Sequence, residues 1–111
     1  MKREQVFARD RYRCVYCGRV FPGEELSVDH VQARVRGGDR SGGNLVTACR
    51  ACNTLKGHRR IASFLAEFPE ARRNFFRYAS AVWPRHRQAI REDVERLRER
   101  RAERARRARL P

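Results

Sequence analysis

Cys14-Val15-Tyr16-Cys17-Gly18 and Cys49-Arg50-Ala51-Cys52-Asn53-Thr54-Leu55-Lys56-Gly57 are the stretches that decide the fold of this 111-residue chain. Each contains a Cys-x-x-Cys pair, and the two pairs use all four cysteines. Two thiolates from one such turn reach a single ion at about 2.3 Å, so two turns complete a tetrahedral four-sulfur site. Such a site suits zinc, and with four sulfur ligands it is closed to chemistry. Between Cys17 and Cys49 lie 31 residues, more than the roughly 15–20 of a plain zinc ribbon. That insert holds Asp29-His30 and both Gly-Gly pairs. Asp29 and Asn53 offer oxygens, which suit a harder cation, and His30 suits proton transfer with water. The residue types therefore divide two jobs, one site for holding the fold and one for chemistry.

The chain carries 27 Lys+Arg against 13 Asp+Glu, a net charge of +14. So large an excess in so short a chain predicts a polyanionic partner, DNA first and RNA as the alternative. Only Lys2 and Lys56 are lysines; a bias towards arginine explains that choice but not the positive excess. The charged start, Met1-Lys2-Arg3-Glu4-Gln5, has no apolar run behind it, which predicts no signal peptide. No segment approaches the ~18 apolar residues of a membrane span, so no membrane role is expected. The expected setting is a reducing cytoplasm, where paired Cys-x-x-Cys motifs read as metal ligands. In an oxidising compartment the same cysteines allow three disulfide pairings.

Composition changes near Arg59. Residues 1–58 hold every cysteine and glycine; residues 59–111 hold neither and read as helix almost throughout. Within 1–58, a short helix is expected over Glu4–Arg11, strands over Leu26–Val31 and Leu45–Thr47, and a helix from Cys49 to about Gly57. Residues 1–58 bury only a small core, so zinc is expected to supply about 10 kcal/mol of their stability. Beyond them, Ile61, Phe64, Leu65 and Phe68 recur at helical spacing, and Pro69 suits a first helical turn. Phe75, Phe76, Ala79, Val82 and Trp83 continue the apolar face until Pro84 breaks it, and a last helix is expected from Arg85 to about Leu110. Its apolar side, Ile90, Val94 and Leu97, is followed by Arg101, so the tail is expected to leave the core. The aromatic residues read as core before they read as a base-stacking platform.

Arg13-Cys14-x-x-Cys17-Gly18, Asp29-His30, Gly37-Gly38, Asn44-Leu45-Val46 and Cys49-x-x-Cys52-Asn53-x-x-Lys56-Gly57, in this order, resemble the HNH endonucleases. The resemblance covers about residues 1–58. It implies an α+β fold: a small ββα-metal (His-Me finger) core, clamped by the four-cysteine zinc site and followed by a helical, arginine-rich extension over 59–111. It further implies that His30 is the general base, that Asp29 binds a catalytic Mg²⁺ or Mn²⁺, and that Asn53 is the ion's second ligand. Asn44 would belong to the catalytic set by ordering the loop and aiming His30. Lys56, three residues beyond Asn53 on the expected helix, would contact the phosphate, with Arg9, Arg11, Arg13, Arg34 and Arg36 supplying further nucleic-acid contacts. Strand alternation sends Asp29 and His30 to opposite faces, so their sharing a site requires a bulge or a twisted strand end. His58 and His86 read as surface or nucleic-acid-facing residues. The competing reading is a non-catalytic zinc module that binds nucleic acid with the same arginines. A homodimer is compatible with the sequence but does not follow from it.

Overall fold

A computed structural model describes residues 1–111. Helix α1, Arg3–Arg9, buries Val6 and Phe7, and the Gln5 side chain accepts from the Lys2 backbone N–H at its start. It ends two residues short of the expected Arg11, because Arg11 and Tyr12 both take a positive φ of 57°. The turn is held from inside: the Asp10 carboxylate accepts from the backbone N–H and the hydroxyl of Thr47.

Strands β1, Leu26–His30, and β2, Leu45–Cys49, form a two-stranded antiparallel sheet in the register Leu26↔Cys49 to His30↔Leu45. Helix α2, Arg50–Lys56, follows β2 directly, with Cys49 as its N-cap and Gly57, at φ 58°, as its stop. The order strand, loop, strand, helix agrees with the expected ββα core. Helices α3, Ile61–Glu67, α4, Pro69–Tyr78, and α5, Pro84–Ala108, complete the chain.

The core crosses the compositional boundary at Arg59. Phe7, Tyr16 and Leu26 belong to the same buried cluster as Phe64, Phe75 and Val94. Tyr16 meets Phe64 edge-on at 5.3 Å and lies near-parallel to Phe75 at 6.2 Å, so these aromatics are core and not a base platform. Asn74 of α4 donates to the Tyr16 carbonyl at 2.9 Å. A second joint forms where Trp83 lies against Gly43: its backbone N–H donates to the Gly43 carbonyl, and a Cβ on Gly43 would sit 2.2 Å from the indole.

Pro84 begins the last helix, one residue before the expected Arg85. Helix α4 has already ended at Tyr78, residues 79–83 form a turn, and Pro84 occupies the first position of α5. A proline's missing N–H costs nothing there, because no intrahelical partner exists for it. Ile90 and Val94 bury the inner side of α5, Leu97 packs partly, and every residue from Arg98 onward is exposed. No helix is long and apolar enough to cross a membrane.

Candidate active site and metal centre

The four cysteine sulfurs converge to within 4.8 Å of one another, a set that can hold a metal ion. The first knuckle closes through Gly18 N–H to Cys14 carbonyl and Cys14 N–H to Arg19 carbonyl, and is tied to β2 by Val15 N–H to Thr47 carbonyl. Backbone N–H groups of Tyr16 and Cys17 point at Cys14 Sγ, and that of Cys52 at Cys49 Sγ, each at 3.4 Å. Such donors favour thiolate over thiol. A hydrogen bond from the Cys52 thiol is the largest reason Cys14 falls to about 5. Cys52 and Cys49 are pushed up instead, Cys52 chiefly as the donor in that bond and Cys49 by burial. Crowded sulfurs thus share protons, and only a cation lets all four ionise, as zinc does.

Asp29 stands at the centre of the second cluster. It is 9% exposed, and both its oxygens are engaged. The Tyr16 hydroxyl donates to Oδ2 at 2.6 Å, and Lys56 Nζ lies 3.1 Å from each oxygen. The elements dictate this meeting. Asn53 and Lys56, three apart on α2, face Ser27 and Asp29, two apart on β1, because helix and strand repeat at those spacings. Lys56, expected on the substrate phosphate, is therefore buried at 7% exposure and committed to Asp29. Asn53, expected beside Asp29 as a metal ligand, instead donates to Ser27 Oγ at 3.0 Å, one strand repeat away.

His30 and Asp29 do share a site, and the device is the strand end. Pairing is regular through His30↔Leu45, without a bulge, but His30 is the last residue of β1. Both residues line a cleft of about 730 Å³ whose walls also include Arg34, Arg36, Lys56 and the start of α3 and α5. His58 and His86 line the same cleft. The His30 Nε2 atom is buried and has no hydrogen-bond partner. Burial is the largest influence on this imidazole and lowers its pKa; Arg40, Arg34 and Lys56 lower it further, against the opposing pull of Asp29. His30 is thus neutral at pH 7 and able to accept a proton.

The Asn44 side chain spends its hydrogen bonds on the loop that follows His30. It is 1% exposed. Its Oδ1 accepts from Gln32 N–H at 2.8 Å, and its Nδ2 donates to the carbonyls of Gln32 and Asp39 at 3.1 and 2.9 Å. Its own carbonyl accepts from Val31 N–H. The expected basic contacts divide. Arg9 is a brace, bonded to Asp10 and to the Gly42 and Leu45 carbonyls, and Arg13 reaches the Gly18 carbonyl while covering the Tyr78 ring. The Arg9 donors are taken up within the protein, whereas Arg13 spends only Nη1 on a hydrogen bond. Arg11, Arg34 and Arg36 are exposed. Tyr16, read from sequence only as a knuckle residue, proves to link the thiol cluster to Asp29; a large aromatic between two clamping cysteines was the available signal.

Residues 14–59 match the model of the HNH endonuclease family. The matched segment holds the thiol cluster, Asp29-His30 and Asn53. Among solved structures, one similar chain is the Type II-C Cas9 enzyme from Actinomyces naeslundii, at a TM-score of 0.54 and 23% identity. The alignment covers 86% of this chain and 11% of that one, so this chain spans about a ninth of that enzyme's length. At that identity the likeness shows a shared fold. No curated protein matches.

Proposed function

We propose that this chain is a metal-dependent endonuclease that hydrolyses phosphodiester bonds in DNA. The observation that carries this reading is the neutral His30, with an unpartnered Nε2, sharing one cleft with the buried carboxylate of Asp29. A hydrolase of this kind needs a base for water and a cation site beside it. Here His30 Nε2 takes a proton from water as its oxygen bonds to phosphorus; the bond from phosphorus to the leaving sugar oxygen breaks, and that oxygen is reprotonated from solvent.

Cys14, Cys17, Cys49 and Cys52 hold zinc, which supplies stability only. Asp29 would hold the catalytic Mg²⁺ or Mn²⁺, with the amide oxygen of Asn53, whose Nδ2 donates to Ser27, as second ligand. One carboxylate and one amide oxygen form a hard donor set, suited to these ions more than to zinc. When bound, the ion supplies charge stabilisation to the phosphoryl and leaving oxygens. Asn44 is a positioning residue, holding the backbone just beyond His30. Arg34 and Arg36 on the cleft wall, with Arg11 and the tail of α5, supply affinity for phosphates without reading sequence.

The test is plasmid nicking with added Mg²⁺ or Mn²⁺, wild type against His30→Ala at matched zinc content. Metal-dependent cutting that the substitution abolishes is the expected result. Intact DNA binding without cutting by the wild type would overturn it in favour of a binding module. Equal cutting by both proteins would remove His30 from the chemistry.

A further inference from the structure

The two groups on Asp29 differ in kind. Tyr16 cannot leave: its ring is 1% exposed and wedged between Phe64 and Phe75, and its backbone lies inside the first zinc knuckle. Lys56 can. It ends α2, the residue after it is a glycine with φ 58°, and its side chain borders the open cleft. Four flexible carbons carry an ammonium that needs only solvent or another anion in exchange. That ammonium stands 3.1 Å from both Asp29 oxygens, on the carboxylate that a divalent ion must also use. A cation beside so buried a carboxylate offsets the cost of its burial, a place that Lys56 fills here.

We propose that Lys56 is a built-in, displaceable counter-cation: it occupies and orients the Asp29 carboxylate until a divalent ion arrives, then swings into the cleft. Tyr16 is the fixed arm of the cradle, keeping Oδ2 in place during the exchange. This inference rests on the reading of Asp29 as a metal ligand. Lys56 and the ion compete for one carboxylate, so the ion's affinity is set partly by the lysine it must evict.

Two measurements test it on zinc-loaded, full-length protein. The first is Mn²⁺ binding, followed by the loss of the free-ion resonance signal. Lys56→Gln is expected to bind about tenfold more tightly or better, the size of one charge-assisted hydrogen bond, while Lys56→Arg stays near wild type and Asp29→Asn abolishes the gain. Unchanged or weaker binding by Lys56→Gln, with wild type binding Mn²⁺ through Asp29, overturns the exchange but leaves the metal site standing. Absence of Asp29-dependent Mn²⁺ binding in every variant overturns both. The second measurement needs no substitution. Lys2 and Lys56 are the only lysines, so amine acetylation read by mass spectrometry reports Lys56 with Lys2 as internal reference. Mn²⁺ is expected to speed labelling of Lys56 several-fold and leave Lys2 unchanged; Lys56 labelling that stays constant or slows contradicts displacement.

Discussion

Replacing Asn44 by alanine removes the clip that holds the chain just beyond His30. Three hydrogen bonds of 2.8, 3.1 and 2.9 Å disappear from a side chain that is 1% exposed. At about 1 kcal/mol net each, with water reaching the loop side of the partners, the loss is about 2–3 kcal/mol. For a chain of this size that lowers Tm by roughly 8–12 °C. Asn44→Asp sharpens the test. It keeps the acceptor for Gln32 N–H but sets an oxygen against the Gln32 and Asp39 carbonyls, so it should cost at least as much as alanine. Thermal unfolding monitored by circular dichroism, at fixed saturating zinc so that metal loss does not distort the transition, gives the stability term. Single-turnover cleavage gives the other, with a fall of about tenfold or more expected as His30 loses its aim. Both variants melting within about 2 °C of wild type, with unchanged cleavage rates, would refute the clip.

Three further outcomes follow from the same geometry. Stripping zinc with a strong chelator, or substituting Cys52→Ser, should unfold the knuckles and disorder Tyr16 with them. One zinc per chain in the native protein, and loss of near-ultraviolet dichroism on its removal, are the readouts. Cleavage should rise with pH with a midpoint below 6.5, because the folded His30 titrates below its ordinary value; in the unfolded chain it titrates near 6.5, so its contribution to stability is complete above that pH and declines as pH falls towards the folded value. The arginines should separate by role. Arg34→Ala and Arg36→Ala should each weaken DNA binding and reduce the salt-dependence slope by about 1, whereas Arg9→Ala should act mainly on stability by freeing the Gly42 and Leu45 carbonyls and Asp10, and a thermal melt beside a binding titration distinguishes the two.

The ββα order was legible because its signals are local: short apolar runs at Leu26 and Leu45 and a glycine stop at Gly57. The aromatic core was equally readable from helical spacing at Ile61, Phe64 and Leu65. Pairing was not. Nothing in the sequence shows that a knuckle tyrosine reaches Asp29, or that α2 turns Asn53 towards Ser27 and Lys56 towards Asp29, since these depend on how helix and strand pitch meet across space. The same holds for Arg9 and Arg13, whose charge is visible in sequence while their buried carbonyl partners are not. The start of the last helix was legible to within one residue, because Pro84 interrupts the apolar run before it. The break at Arg59 reflects glycine and cysteine usage, whereas packing runs through it from Tyr16 to Phe75.

The division of labour between two metal sites is tested most directly by assaying one sample through a mild metal-exchange cycle. Dialysis against a weak chelator should leave one zinc per chain and a native melt, with no cleavage. Adding Mg²⁺ or Mn²⁺ alone should then restore cutting in wild type but not in Asp29→Asn. Cutting by the dialysed protein with zinc as its only metal, or equal restoration in Asp29→Asn, would contradict that division.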